Sequence, residues 1–469
     1  MEILHVSFEC YPVAKVGGLA DVVGALSKYQ QQLGHNVKVV MPMHRTEFLY
    51  DNEWEVVHKA SFKMGTRLFD FTVIREIDNH LGFDLYCIDI NGLLDREKVY
   101  NYPDDTDRFL AFQISVMEWL SKWNHRPDVV HVHDHHSALI PFMMQQCFAY
   151  KHLASTKTVL SIHNAEYQGW MNWQRGGELP AWDTWNWGLL DWSNTINSLA
   201  AGIKCANQVN TVSPGYMKEL MEEESILRSL FIAEAPKCHG ILNGIDYSVW
   251  DPKIDTLILD NYSVKEVKEG KALNKKRLCD EFNLDPEFPL FIFIGRLVAE
   301  KAADLLAPAI KKAFNIPNAK FNFLLLGSGE KETEQALESL NNNYVGYYNS
   351  QIGYNETLSH QMYAGADFIL MPSRVEPCGL NQMYAMRYGT IPIVRKTGGL
   401  KDTVPDYEDK GGYGITFQQA SVDDIVSSIN RALILYANKS KLQELRKKVM
   451  GLDWSWEASA KKYIELYNK

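Results

Sequence analysis

The tightest constraint on what this chain can fold into is a repeated unit: a short apolar run, a glycine-bearing or polar turn, then a helical pattern. In the second half Phe291–Ile294 leads to Gly295-Arg296, and Phe323–Leu326 leads to Gly327-Ser328-Gly329. Phe368–Met371 opens a loop ending in Glu376, and Ile391–Val394 leads to Thr397-Gly398-Gly399. Strands that each deliver such a turn at their carboxyl ends belong in an open parallel sheet, whose crevice suits a nucleotide-sized ligand. The first half repeats the scheme. Ile3–Phe8, a helical pattern to about Leu33, Gly34 and Val37–Met41 make one strand-helix-strand unit. Asp128–Val132 and Thr158–Ile162 are two further runs, each ending in a histidine-bearing loop. At 469 residues, 46% of them hydrophobic, the chain exceeds one ordinary core. The expected class is α/β: two Rossmann-like, doubly wound domains facing an inter-domain cleft. The pattern breaks at Gly240–Asp246, so the domains are set at 1–245 and 246–452. A last helix at 453–469, after Leu452-Asp453-Trp454, is expected to pack back on the N-terminal domain.

Charge narrows the partners. With 48 basic against 58 acidic residues, a formal charge of −10 and no long basic run, neither nucleic acid nor an anionic membrane is the expected partner. No apolar run is long enough to span a bilayer and the chain starts on a strand, so a cytoplasmic protein is expected. Seven scattered cysteines without CxxC spacing read as reduced thiols.

Several constellations carry chemistry. In Lys15-Val16-Gly17-Gly18-Leu19-Ala20-Asp21 a cation and a glycine pair precede a helix pattern. Helix amides and lysine together suit phosphate, whereas the glycines alone make a tight turn; both readings stand. Arg296 and Lys301 flank a strand-to-helix turn, with Ala302 and Ala303 placed inside the helix that follows. They either converge on a diphosphate or are surface cations. Arg374-Val375-Glu376-Pro377-Cys378-Gly379-Leu380 opens a helix, so Glu376 either caps it or faces sugar hydroxyls and developing positive charge. Cys378 has no base at fixed spacing to make it a nucleophile. In His131-Val132-His133-Asp134-His135-His136 the aspartate comes one position too early for the HxHxDH pattern of zinc hydrolases. Alternating histidines at a strand end explain the run without a metal. Asp134 and His163-Asn164 suit a polyhydroxylated ligand. Asp105-Thr106-Asp107 matches a metal-binding DxD, but the helix pattern after it makes these acids N-terminal caps. Six tryptophans between Trp170 and Trp192 either stack on sugar rings, Trp170 and Trp173 foremost, or form a small aromatic core.

Together these segments resemble the bacterial glycogen synthase and plant starch synthase family over nearly the whole chain. The carriers are Lys15–Asp21, His133-Asp134, Ser161-Ile162-His163-Asn164, Asn210–Pro214, Gly240–Asp246, Gly295-Arg296 with Lys301, Pro372–Leu380 and Gly398–Val404. The resemblance implies a GT-B fold and transfer of glucose, with retention, from a nucleotide sugar to the non-reducing end of an α-1,4-glucan, glycogen or a maltooligosaccharide. ADP-glucose is the expected donor and UDP-glucose the alternative, with no cofactor and no metal. A non-catalytic glucan-binding protein is a remoter reading. By the same resemblance Lys15, Gly17, Gly18, Arg296 and Lys301 hold the donor diphosphate, and Glu376 sits on the transferred glucose with Cys378, Gly379 and Leu380 beside it. Asp21, Asp134, His163 and Asn164 contact hexose or acceptor, and Glu376, Lys15, Arg296, Lys301 and His163 form the catalytic set; Trp170 and Trp173 join the acceptor contacts on their stacking chemistry alone, since the Trp170–Trp192 region differs from the family's usual segment. The chain departs from the family at Glu300 and Ala302, where a neutral polar residue and glycine are usual, at Val375 for phenylalanine, and at Asp105 for asparagine.

Overall fold

A computed structural model describes residues 1–469, and the chain divides into two units. The first comprises Met1–Val212, Met217–Leu242 and Trp456–Lys469; the second comprises Ser213–Tyr216 and Asn243–Ser455. The last helix, Trp456–Tyr467, therefore belongs to the unit in which the chain begins. No helix is long and apolar enough to cross a membrane.

In chain order the first unit contains β1 (Glu2–Val6), β2 (Asn36–Pro42), β3 (Trp54–Met64), β4 (Arg67–Glu76), β5 (Asp84–Asp89), β6 (Val129–His133) and β7 (Lys157–Ile162). There follow β8 (Trp170–Met171), β9 (Asp191–Trp192), β10 (Thr195–Asn197), β11 (Gln208–Thr211) and β12 (Cys238–Gly240). The main sheet runs β12-β11-β7-β6-β1-β2-β5-β4-β3, and β8, β10 and β9 form a small separate sheet. Strands β12 to β5 are parallel; β4 and β3 join antiparallel. Residues of β1 and β6 are buried on both faces, so the aliphatic runs of these strands carry His5, His131 and His133 into the interior with them. The hairpin of β3 and β4 is different. Its outer strand leaves Glu55, Lys59 and Lys63 in water, a charged edge that discourages further pairing.

The second unit contains β13 (Leu290–Ile294), β14 (Asn322–Gly327), β15 (Tyr348–Ile352), β16 (Phe368–Met371), β17 (Ile391–Arg395) and β18 (Ile415–Phe417). They form one parallel sheet, ordered β15-β14-β13-β16-β17-β18. Its apolar strands are buried between two layers of helices, with Phe291 and Phe368 stacked at 5.0 Å between ring centres. Burying each such ring contributes about 1.5–3 kcal/mol. At the strand ends the backbones nearly touch: a Cβ on Gly327 would lie 2.1 Å from the Gly295 carbonyl oxygen. Only glycine fits there.

Both sheets reverse their strand order beside their first strand, between β1 and β6 in one unit and between β13 and β16 in the other. Loops leaving the carboxyl ends of strands at such a reversal diverge to opposite faces and open a crevice. The loops that leave these strands are the Lys15 loop, the His133-Asp134 loop, the Gly295–Lys301 turn and the Pro372–Leu380 loop. Topology thus collects Lys15, Asp21 and Asp134 in the first unit and Arg296, Lys301 and Glu376 in the second.

Candidate active site

In the first unit the chain leaves β1 at Ser7 and re-enters helix at Gly18, with Gly17 as the extended N-cap residue. The cap carries no side-chain bond of its own; the anion comes from Glu9. Its Oε2 accepts the amides of Val16 at 2.5 Å and Gly17 at 3.0 Å, and its Oε1 accepts the Tyr100 hydroxyl at 2.7 Å. Burial is the main cause that pushes the Glu9 carboxyl above its ordinary value. Glu9 escaped the sequence reading, although an acid between the buried residues Phe8 and Cys10 was a usable signal. Lys15, 40% exposed, donates to Asp21 Oδ1 at 2.8 Å across the same turn. The lysine and the aspartate assigned different ligands thus neutralise each other here. Gly17 and Gly18 have open space where a side chain would sit, so their backbone is accessible to a ligand.

At the ends of β6 and β7 the loops are tied together by Asp134. This residue holds a left-handed backbone, φ 54°, and its Oδ1 accepts the amide of His163 at 2.7 Å. Burial outweighs the amides of His163 and Asn164 and raises the carboxyl to about 7. His163 stays half-buried with its ring nitrogen Nε2 at 3.1 Å from His133 Nδ1. His5, His131 and His133 lie with ligand atoms within 4.8 Å of one another, a spacing that could hold a metal. All six of their ring nitrogens are, however, engaged in hydrogen bonds: with Gln30, Tyr467, Ser161, His163 and between His5 and His133. The geometry is that of a buried hydrogen-bond network.

Two other expectations change in this unit. Asp105 and Asp107 do occupy the first turn of the helix Asp105–Leu120, but their carboxylates do not cap it. Asp105 binds Arg108 at 2.6 Å and the amides of Asn101 and Tyr102, and Asp107 pairs with Arg67 and Arg175. Asp105 takes amides that precede the helix and both acids pair with arginines, so neither carboxylate is turned to the amides of the first turn. The tryptophans do not form one small core. Trp182 packs edge-on against buried Phe142 and Trp173 donates to Asp191 at 2.9 Å, whereas Trp170 is exposed and Trp185 is 91% exposed.

In the second unit Gly295-Arg296 leaves β13 and turns through Ala299–Lys301. Ala302 interrupts the helix expected there: it is left-handed, φ 53° and ψ 34°, and the α-helix begins only at Leu306. This conformation accounts for the glycine usual at that position, since a Cβ costs roughly 1–2 kcal/mol in it. Lys301, 21% exposed, donates to Glu376 Oε1 at 2.7 Å, and the Ser373 hydroxyl donates to Oε2 at 2.8 Å. Glu376 is not a helix cap: the next helix runs Asn381–Arg387, with Leu380 as its N-cap residue. A proline and the left-handed Gly379, φ 72°, stand between them and delay the helix. The Glu376 loop is instead tied to the Lys301 turn. The amides of Arg374 and Val375 donate to the Glu300 carbonyl, and the Arg374 guanidinium binds Asp304 with both terminal nitrogens, at 2.6 and 2.8 Å. Behind the loop, a Cβ on Gly399 would lie 2.1 Å from the Cys378 carbonyl oxygen, and Ser213 donates to the Pro377 carbonyl. Burial pushes the Cys378 thiol up to about 12, which leaves it no role as a nucleophile. Arg296 does not join Lys301 on one partner: it is 63% exposed and lies 3.1 Å from Glu300.

Comparison with known proteins agrees with this fold. Residues 2–232 match the family model for the starch synthase catalytic domain, and residues 274–449 match that for glycosyl transferases group 1. A glycogen synthase of Flavobacterium johnsoniae is 52% identical over 100% of this chain and 99% of its own length. One from a Hydrogenobaculum species is 36% identical over 100% and 98%. Among solved structures, the catalytic domain of starch synthase IV from Arabidopsis thaliana, bound to ADP and acarbose, superposes with a TM-score of 0.88 at 32% identity, covering 100% of this chain and 98% of that one. Sucrose-phosphate synthase from Thermosynechococcus elongatus shares the fold, with a TM-score of 0.63 at 18% identity over 99% and 98%. Two sheets with parallel cores, their loops at the strand-order reversals and a full-length match to enzymes of one kind lead to a single conclusion. This chain is a GT-B glycosyltransferase and belongs to the glycogen synthase and starch synthase family.

Proposed function

We propose that the chain transfers glucose from ADP-glucose to the non-reducing end of an α-1,4-glucan, glycogen or a maltooligosaccharide, with retention of configuration. The observation that carries this reading is the contact of Lys301 with Glu376 at the strand-order reversal of the second unit. A nucleoside diphosphate departs as an anion, so a cation can stabilise it where a glycosidase needs a general acid. The carboxylate beside it faces the positive charge that develops on the sugar. Arg296 and Lys301 bind the donor diphosphate, to which Lys15 and the backbone of Gly17 and Gly18 add positive potential. Cys378, Gly379 and Leu380 shape the loop around the transferred glucose; Asp21, Asp134, His163, Asn164, Trp170 and Trp173 receive hexose or acceptor. No metal is assigned to the step. Support for ADP as the nucleotide is that the starch synthase IV domain was solved with ADP. UDP-glucose is the second reading, because no residue of the site discriminates the two bases.

Transfer from the two donors to glycogen, measured side by side with and without EDTA, tests the proposal. The expected result is activity with ADP-glucose, unaffected by EDTA, giving a product that an α-1,4-specific glucanase digests fully. Preference for UDP-glucose would overturn the donor, and undigested product the stereochemistry. Glu376→Ala should abolish transfer with the fold intact.

A further inference from the structure

The buried polar chain behind His163 has a direction, and the direction reaches the candidate site. Gln30, fully buried on the helix Gly18–Gln32, donates from Nε2 to the Tyr467 hydroxyl at 2.9 Å. Its Oε1 therefore faces His5 Nε2, at 2.8 Å. An amide oxygen only accepts, so the proton lies on His5 Nε2. Burial, outweighing the bond to Gln30, lowers the basicity of His5 to about 4, so the ring is neutral and its Nδ1 is bare. A bare nitrogen only accepts, and its partner at 3.0 Å is His133 Nε2. His133, also held neutral by burial, is then bare at Nδ1 and accepts from His163 Nε2 at 3.1 Å. His163 is neutral as well, lowered by burial to about 3. The branch through Tyr467 agrees in sense. Its hydroxyl accepts from Gln30 and donates to His131 Nδ1 at 2.6 Å, and His131 Nε2 donates to the Ser161 hydroxyl at 2.7 Å.

We propose that Gln30, anchored by Tyr467 of the last helix, is a positioning residue that fixes the tautomer of His163 through His5 and His133, so that His163 meets its sugar ligand as a hydrogen-bond acceptor at Nδ1. The part concerning the ligand rests on the function proposed above; the ordered chain does not. Tyr467 closes a circuit from the C-terminal end of the chain to the loop after β7, and an acceptor at His163 selects a ligand hydroxyl that donates. His163 accordingly carries no proton to deliver to a leaving group.

The test is a long-range proton–nitrogen correlation spectrum of the full chain labelled with 15N-histidine, with the His163 signals identified by their loss in His163→Gln. The expected result is one tautomer for His5, His133 and His163 at pH 7, protonated at Nε2 and bare at Nδ1. In Gln30→Met that uniqueness should be lost, and in Gln30→Glu, whose carboxylate also only accepts, it should persist. Donor kcat/KM should fall about tenfold in Gln30→Met, the scale of one hydrogen bond, with ADP affinity unchanged, and recover in Gln30→Glu. A proton on His163 Nδ1 in the unaltered protein would overturn the proposal, whatever the variants do. So would a Gln30→Met spectrum identical to that of the parent, or displacement of these signals by added zinc. A protein inactive with both donors whose spectrum still shows the Nε2 pattern would overturn the function proposed above and leave the ordered chain standing.

Discussion

Of the fourteen histidines in the chain, all but His360 lie in the first unit. There much of the polar interior is a set of neutral rings and amides joined by hydrogen bonds, from Gln30 through His5, His133 and His163. The second unit solves the same problem with charge: Asp367 is buried with Lys275 at 2.8 Å and with Arg446, and Glu376 is paired with Lys301. Neutral rings cost little to bury but collapse on protonation, whereas an ion network tolerates acid and fails when one member is removed. The difference is one of vulnerability.

The largest expected effect follows from pH. Burial first of all holds His5, His44 and His135 at about 4 and His163 at about 3, against roughly 6.5 when unfolded. Below 6.5 the unfolded state binds more protons, so the stability of the first unit falls as pH falls, by about 1.4 kcal/mol per pH unit for each histidine. Asp134 and Glu9 oppose this, since their raised values let the folded state take up protons first. The buried histidines, His131, His133 and His136 among them, outnumber these two acids, so the first unit loses stability between pH 6.5 and 4.5. Asp367 titrates elsewhere: burial would raise it, but Lys275 and Arg446 hold it below the ordinary carboxylate range. Hydrogen exchange followed from pH 7 to 5 should therefore show the first unit opening while the second stays protected. Simultaneous opening would break the comparison.

The reciprocal experiment is Asp367→Asn, which strands two buried cations. It should cost about 3–5 kcal/mol, seen as a lowered denaturation midpoint confined to the second unit by hydrogen exchange. A smaller effect comes from Lys15→Ala, which should lower turnover about a hundredfold, or about 2.7 kcal/mol, the scale of one preorganised electrostatic group, with little change in melting temperature. Near-normal turnover would leave the first unit's loop a mere turn. The smallest is Glu300→Gln. Arg296 is exposed and its bond to Glu300 is screened, so releasing it should tighten ADP binding by only a few-fold, under about 1 kcal/mol; calorimetric titration reads this directly.

The elements that were legible in the sequence are those buried on both faces. β13, β14, β16 and β17 begin and end within a residue of the apolar runs that announced them, because a parallel strand between helix layers has no solvent side to interrupt its pattern. β15, at the sheet edge, reads Tyr348-Asn349-Ser350-Gln351-Ile352 and gave no such signal. The β3–β4 hairpin was equally silent, since its outer strand is mostly in water. In the site, glycine and charge spacing marked Lys15, Arg296, Lys301 and Glu376; Glu9 showed only as an acid between apolar neighbours, and nothing local marked Ser373 or Gln30, whose meaning lies in partners from other elements.

By itself the sequence determined the α/β class, the two Rossmann-like sheets and the family, because burial pattern, turn chemistry and motif order are local properties that a linear text records. Only the tertiary structure decided which groups neutralise one another: Lys15 with Asp21, Lys301 with Glu376, Glu9 with the amides of Val16 and Gly17. It alone also gave the histidine chain its direction, through a tyrosine 437 positions from the glutamine it anchors. Hydrogen bonds of that kind depend on distances of a few tenths of an ångström between elements far apart in the chain, and no spacing rule encodes them.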